Sequence, residues 1–356
     1  MSYPVMRVHT ARIEENGRAL IKECAAHGVL LWGVTKGMSA APEIAAAYKR
    51  AGFEVLADSR MANIKKMRAA GIESKYALIR IPMPSELEDA VRYCDYSLVS
   101  ESESILEMSR VCASLGKEHG VIIMIDMGDL REGFWPTELD ALAEKLRDVS
   151  PYLKIAGVGS NFGCASGVLP SRENLTLLIQ YRDELERKLG VSIPIVSGGG
   201  TCTMAQLMKG NVPPEVNSLR LGESVLLGTD TTINYHFPML RQDTMEVVAE
   251  LSEVRVKPTV PIGKIGMDFS GDVPVFEDRG DRLRGVLAIG RQDIRIEGLK
   301  PMEEGVTIIT ASSDHMLVDL EDCPVKYKAG DKLSFRMDYP GMLAASTSPY
   351  VEKIYD

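Results

Sequence analysis

From residue 12 to about residue 230, short β-branched and aliphatic runs alternate with longer stretches whose apolar positions recur at helical spacing. The strand-like runs are 29–34 (VLLWGV), 53–57 (FEVLA), 76–81 (YALIRI), 96–99 (YSLV), 121–126 (VIIMID), 154–158 (KIAGV), 193–197 (IPIVS) and 218–221 (SLRL). Between them lie amphipathic segments such as 137–148 (TELDALAEKLRD) and 173–189 (ENLTLLIQYRDELERKL). Eight strands alternating with helices predict an α/β fold of the (β/α)8 TIM-barrel type. A doubly wound open sheet is the alternative, and the count of eight favours the barrel.

After about residue 238 the helical period fades. Short alternating runs such as "VTIITAS" and "HMLVDL" appear, punctuated by turn-rich stretches such as "EDRGDRLRG" and "YKAGDKLSF". The pattern predicts two domains: a barrel over 10–238 and a C-terminal all-β domain over 239–356.

Composition narrows the function classes. The 356-residue chain is 45% hydrophobic and 26% charged with a net charge of −9, a balance that argues against nucleic-acid or acidic-membrane partners. No segment approaches the roughly 18 uncharged apolar residues of a membrane span. The first residues, MSYPVMRVHT, lack the basic flank and apolar core of a signal peptide. Six scattered cysteines without C-x-x-C spacing predict reduced thiols and a cytoplasmic protein.

The chemistry collects at the C-terminal strand ends, where barrels place their sites. Trp32, Val34 and Lys36 share parity along the first strand, so if that face lines the barrel the Lys36 amine projects into the mouth. A lysine desolvated there has a depressed pKa and suits Schiff-base chemistry. The plain alternative is a surface lysine at a βα turn. The seventh strand ends in "SGGGTCT" and the eighth in "LRLGES", bringing Gly198, Gly199, Gly200, Thr201 and Gly222 to the two strand ends where barrels frequently bind phosphate. A phosphate beside an imine-forming amine points to pyridoxal phosphate. Arg220 shares parity with Gly222 and fits the pyridine nitrogen, which a guanidinium that keeps its proton would leave unprotonated. Such a ring favours brief removal and return of an α-proton over transamination. The alternative for Arg220 is a buried ion pair with an acidic barrel residue.

The fifth strand runs into "MIDMGDLREG", where Arg131 fits a substrate carboxylate bidentately and Asp129 and Glu132 fit a cationic substrate end. A solvated loop of mixed charges is the alternative. "GSNFGC" places Asn161 at the mouth as a hydrogen-bonding partner of the cofactor ring or as a turn residue.

The motifs "GVTKG", "LADSRMANIKKM", "VIIMIDMGDLREG", "GVGSNFGCASGVLP", "IPIVSGGGTCT", "NSLRLGESVLLG", "KPTVPIGKIGMD", "LAIGRQDI", "ASSDHMLVDL" and "TSPYVEKIY" follow one another along nearly the whole chain. In this order they resemble the alanine racemase family of fold-type III pyridoxal-phosphate enzymes, and within it the ornithine racemase branch. The resemblance implies a barrel and a β domain joined by residues 1–9. It also implies a head-to-tail homodimer in which the partner's β domain completes each site. Lys36 then matches the Schiff-base lysine and Arg220 the pyridine-nitrogen partner. Thr201, Gly222, the backbone N–H of Glu223 and Tyr339 match the phosphate contacts, and Ser197, Gly200 and Asn161 complete the cofactor-binding set. Arg131 matches the arginine near the substrate carboxylate.

Departures from the family pattern cluster near the reacting atoms. Arg291 stands where the family's second base, a tyrosine, is expected; Met124 replaces a lysine near the substrate arginine; Asn161 replaces a histidine. The "CMDQ" loop becomes "SSDH", and "GGGTCT" stands where the branch has a G-G-N-S-S run. A two-base racemisation with Lys36 on one face leaves Asp314 or His315 of the partner for the other. His315 suits this as a side chain that titrates near neutrality, or it orients Asp314. Ser312 and Ser313 fit the substrate carboxylate. A free amino acid, favoured to be basic (ornithine or lysine) given Asp129, Glu132 and Asp293, is the expected substrate; broad-specificity or alanine racemisation stays open. A D-threonine-aldolase-type lyase shares the fold, but it needs a metal site that five dispersed histidines do not suggest. A non-enzymatic carrier of the cofactor would be a lone barrel, and the β domain argues against it.

Overall fold

The computed structural model describes residues 3–267, 271 and 273–356. By internal contacts the chain divides into one compact unit, Thr10–Gln242, and a second made of the residues up to His9 with Asp243–Asp356.

The strands, in chain order, begin with β1 (Val5–Val8) of the second unit. Then come β2 (Leu30–Val34), β3 (Val55–Asp58), β4 (Lys75–Leu78), β5 (Tyr96–Val99), β6 (His119–Met124), β7 (Leu153–Gly159), β8 (Ile195–Ser197) and β9 (Ser218–Leu221). Strands β2 to β9 form a closed parallel barrel. Pairing of β2 with β9, from Leu30↔Ser218 to Gly33↔Leu221, closes the ring and excludes an open sheet. Every predicted barrel strand is present; β5 and β9 have the predicted ends, and the others differ by one to three residues.

Parity sorts each barrel strand. Trp32, Val34, Val55, Ala57, Ala77, Leu98, Ile122 and Met124 form the interior cluster, and the Trp32 ring stacks on Tyr96 with centroids 5.2 Å apart. Burying one such side chain contributes about 1.5–3 kcal/mol. Strand alternation ends with Val34, and Lys36 follows two residues on in a 3-10 turn at the C-terminal end of β2.

The helices of this unit are α1 (Thr10–Ala26), α2 (Pro42–Ala51), α3 (Met61–Ala69), α4 (Leu87–Tyr93), α5 (Ser102–Leu115), α6 (Leu139–Lys145), α7 (Arg172–Leu189), α8 (Thr201–Met208) and α9 (Glu223–Leu227). Their ends follow local chemistry. Ser171 caps α7 by accepting from the Asn174 N–H, and Gly190 ends it in the left-handed conformation. After α9 a short hairpin pairs β10 (Thr229–Asp230) with β11 (Tyr235–His236).

The second unit is an eight-stranded sheet. It contains β12 (Met245–Pro258), β13 (Asp281–Leu287), β14 (Leu299–Pro301), β15 (Thr307–Ala311), β16 (Met316–Asp319), β17 (Lys332–Met337) and β18 (Glu352–Tyr355). The order is β14-β17-β12-β13-β16-β15, and β1 pairs antiparallel with β12 and parallel with β18. The sheet carries one helix, α10 (Tyr339–Thr347), that strand alternation did not suggest; its start is written as Asp338, whose carboxylate accepts from the Gly341 N–H, followed by Pro340 in the first turn. Asp268, the last residue of the motif "KPTVPIGKIGMD", lies outside the described residues. Among the described residues no helix is long and apolar enough to cross a membrane.

Candidate active site

The end of β2 is fixed from below. Thr35 is fully buried and donates its hydroxyl to Asp58 Oδ2 (2.8 Å) at the end of β3. Asp58 Oδ1 accepts from the Arg60 N–H and from Asn63 Nδ2. Burial pushes the Asp58 carboxyl up, against the pull of those hydrogen bonds. Lys36 opens a short 3-10 turn, Lys36–Met38, and the next two residues, Ser39 and Ala40, hold φ of 50° and 48°. Two consecutive non-glycine residues in the left-handed region mark backbone strain beside the lysine.

The Lys36 side chain is exposed, while Thr35 and Gly37 on either side of it are buried. Among the described residues Nζ has no hydrogen-bond or ion-pair partner. Its pKa is lowered, first by desolvation and then by Arg131 and Arg220, while Cys164 and Asp58 oppose the shift. The amine is exposed in a βα turn, as the surface-lysine alternative expects, and its lowered pKa sets it apart from an ordinary surface lysine.

Arg220 is 7% exposed and faces the interior opposite Trp32. Its Nη1 donates to Ser197 Oγ (2.5 Å), and its Nη2 donates to the Ser160 carbonyl (2.9 Å) and to Asn161 Oδ1 (2.7 Å). Among the described residues no carboxylate pairs with it, so the ion-pair alternative falls away. Burial pulls its pKa down to about 10, with Glu132 opposing and Arg131 adding to the effect. The guanidinium therefore stays charged at neutral pH.

The ends of β8 and β9 are built from backbone. Gly199 has φ +101°, and a side chain there would also meet Phe162 and the Thr203 hydroxyl at 3.1 Å. A Cβ on Gly222 would come within 3.2 Å of the Val34 side chain, so β9 turns close to β2 there. Gly200 and Gly222 are the residues before α8 and α9. The two helix starts lie side by side, with Thr201 Oγ1 3.4 Å from both the hydroxyl and the N–H of Ser224. The Glu223 carboxylate accepts instead from the Thr229 hydroxyl and from the Thr231 N–H and hydroxyl. Its side chain thereby anchors the β10–β11 hairpin.

The loop after β6 is a closed excursion: the Asp126 N–H donates to the Phe134 carbonyl, and the Phe134 N–H to Met124. Within it Arg131 forms a fork-to-fork pair with Glu132. Nη2 donates to Oε1 (2.6 Å) and Nε donates to Oε2. Glu132 Oε1 also accepts from Asn161 Nδ2. Arg131, Glu132, Asn161 and Arg220 thus form one continuous chain of hydrogen bonds. Asp129 is 3% exposed and accepts from the N–H groups of Ala165 (3.1 Å) and Ser166 (3.2 Å), tying this loop to the one after β7. Cys164 stands exposed in that tied loop, within electrostatic range of Lys36, Arg131 and Arg220. Asp129 and Glu132, read from sequence as partners of a cationic substrate end, are engaged here within the protein, and the sequence reading passed over Cys164. A glycine on either side of "DLRE" was the available signal for a tight loop.

Ser312, Ser313, Asp314 and His315 form the exposed turn between β15 and β16 of the sheet unit. The Ser312 N–H donates to the His315 carbonyl, and among the described residues no hydrogen bond joins His315 to Asp314. The "GRQDI" turn packs on it: Arg291 and Gln292 donate their N–H groups to the Ser312 and Ser313 carbonyls. A Cβ on Gly290 would meet the Ser313 carbonyl at 2.1 Å. Arg291 pairs with Glu297 (2.5 Å), and Asp293, its pKa raised mainly by desolvation, also feels the charge of Asp314. Tyr339 is the half-buried first residue of α10.

A closed barrel with a perturbed lysine at its first strand end, a buried arginine on its last strand and glycine-shaped turns at its last two defines a class, a TIM-barrel enzyme that works at the C-terminal mouth. Residues 8–230 match the family described as "Alanine racemase, N-terminal domain". The chain is 39% identical to a lysine racemase from Thermotoga maritima over 356 residues, covering all of this chain and 99% of that one. It is 37% identical to an ornithine racemase from Acetoanaerobium sticklandii, covering 99% of each. The structure of an alanine racemase from Bartonella henselae with covalently bound pyridoxal phosphate matches with a TM-score of 0.76 at 17% identity, over 100% of both chains. The chain belongs to the alanine racemase family and is an amino-acid racemase, an isomerase.

Proposed function

We propose that the protein interconverts the L and D forms of a free basic amino acid, lysine or ornithine, using pyridoxal phosphate bound at Lys36. The observation that carries this reading is Lys36 itself, an unpaired amine of lowered pKa at the barrel mouth, in electrostatic contact with Arg131 and Arg220. The full-length relatives named for lysine and ornithine favour the basic substrates.

The residues suit the cofactor. The glycines that a Cβ would crowd, Gly199 and Gly222, leave room for backbone to approach a phosphate; the Thr201 hydroxyl and the Glu223 N–H stand at the helix starts beside them. Ser197, Ser160 and Asn161 hold Arg220 through neutral oxygens. Gly200 completes the barrel's share of the set assigned to the cofactor, and the family motif adds Tyr339 as a phosphate contact. When bound, pyridoxal phosphate supplies the electron-withdrawing ring that acidifies the substrate α-proton.

In this reading Arg131 holds the substrate carboxylate. Arg220 keeps its proton, presents only N–H donors and so withholds a proton from the ring. Lys36 Nζ, biased toward the neutral amine, takes the α-proton on one face or returns it. Asp314 or His315 of a second copy in a homodimer works on the other face, with Ser312 and Ser313 beside the substrate carboxylate.

Chiral analysis after incubating the protein, supplied with pyridoxal phosphate, with L-lysine, L-ornithine and L-alanine tests the assignment. D-lysine or D-ornithine should accumulate to an equal mixture with the L form, faster than D-alanine. Faster alanine turnover assigns alanine as substrate instead, and glycine from β-hydroxy amino acids in a metal-dependent reaction would point to the lyase.

A further inference from the structure

Among the carboxylates that the proposed reaction does not use, Glu132 lies between two arginines of the site. Glu132 is mostly shielded, with its side chain 17% exposed, and both of its oxygens are taken by cationic or amide donors. Arg131 donates to both oxygens, and Asn161 Nδ2 donates to Oε1. The other end of the Asn161 amide accepts from Arg220 at 2.7 Å.

We infer that Glu132 is a positioning residue that aligns the Arg131 guanidinium for an incoming carboxylate and, through Asn161, joins Ser197 and Ser160 in orienting Arg220. The inference rests on the racemase reading for the roles of the two arginines. Its physical basis is the geometry of the fork. A carboxylate that receives Nε and Nη2 fixes the guanidinium plane and leaves its remaining N–H groups directed away from Glu132. With its NH2 end donating to Glu132, the Asn161 amide is turned so that its oxygen faces and accepts from Arg220. A substrate carboxylate site and a cofactor-nitrogen site, reached from two different strands, are thereby held as one unit. Glu132 is then unavailable as the reader of a cationic substrate side chain.

The test uses the full-length protein as wild type, E132Q and N161A. Phenylglyoxal labelling followed by peptide mapping reads Arg131 directly and requires no activity. Arg131 should react about tenfold faster in E132Q than in wild type, the factor expected for one lost charge-assisted hydrogen bond. Unchanged labelling would overturn the inference. In racemisation assays E132Q should raise KM for lysine, ornithine and alanine by a common factor, and should shift the absorbance of the bound cofactor. N161A should reproduce the absorbance shift without the KM rise. A KM rise confined to the basic substrates would instead make Glu132 the side-chain reader and defeat the positioning role. Should wild type racemise none of the three, the functional reading fails, while the labelling result still decides whether Glu132 holds Arg131.

Discussion

The two halves of the barrel mouth are made of different materials. After β8 and β9 the surface is backbone: glycines at 198–200 and 222, two helix starts, one threonine hydroxyl. After β6 and β7 it is side chain, with Arg131, Glu132, Asn161 and the buried Asp129 joined across two loops by hydrogen bonds. The first half has a shape that glycine geometry enforces and offers only N–H groups and hydroxyls, which suits a group of fixed size and charge. The second half holds Arg131 with one internal carboxylate and its loops with another, which suits precise presentation of a guanidinium to a ligand that comes and goes.

That contrast predicts different failures. The largest effect belongs to the glycine half: Gly199→Ala places a side chain at φ +101° and against Phe162 and Thr203, at a cost of about 1–3 kcal/mol. It should lower the melting temperature and weaken cofactor retention together; an unchanged melting temperature would break the claim that shape is enforced there. In the side-chain half, Asp129→Asn leaves one of the two backbone N–H groups without its carboxylate acceptor, costing about 1–2 kcal/mol. Proteolysis within 163–168 should accelerate while the proposed phosphate site at β8 and β9 is untouched, as measured by inorganic phosphate binding.

The smallest effect is electrostatic. Arg131 helps to lower the Lys36 pKa, so Arg131→Gln should let that pKa rise, leaving less neutral amine at a given pH below it. The pH profile of cofactor uptake by the cofactor-free protein should move to higher pH. A shift to lower pH would mean that the loss of a positive neighbour is outweighed by a change in burial.

The glycine half was legible in the sequence, because a glycine triplet and "LGES" at the last two strand ends carry their backbone meaning locally. The barrel was legible because eight strand-like runs alternate with helical stretches over 12–230, a pattern that is also carried locally. The side-chain half was not. Glu132 bonds a residue 29 positions away, and Asp129 anchors backbone at 165 and 166. Spacing along the chain does not encode such pairings, so both acids read as substrate partners. Helix α10 escaped because nine residues, "YPGMLAAST", show no amphipathic period and only the Asp338 cap and Pro340 announce it.

The account stands on Lys36 as the residue that carries the cofactor. Borohydride reduction of the protein loaded with pyridoxal phosphate, followed by peptide mapping, tests this most directly. The cofactor should be found on the peptide containing Lys36, and Lys36→Ala should lose both the label and racemisation. Label on a different lysine, or racemisation surviving in Lys36→Ala, would contradict it.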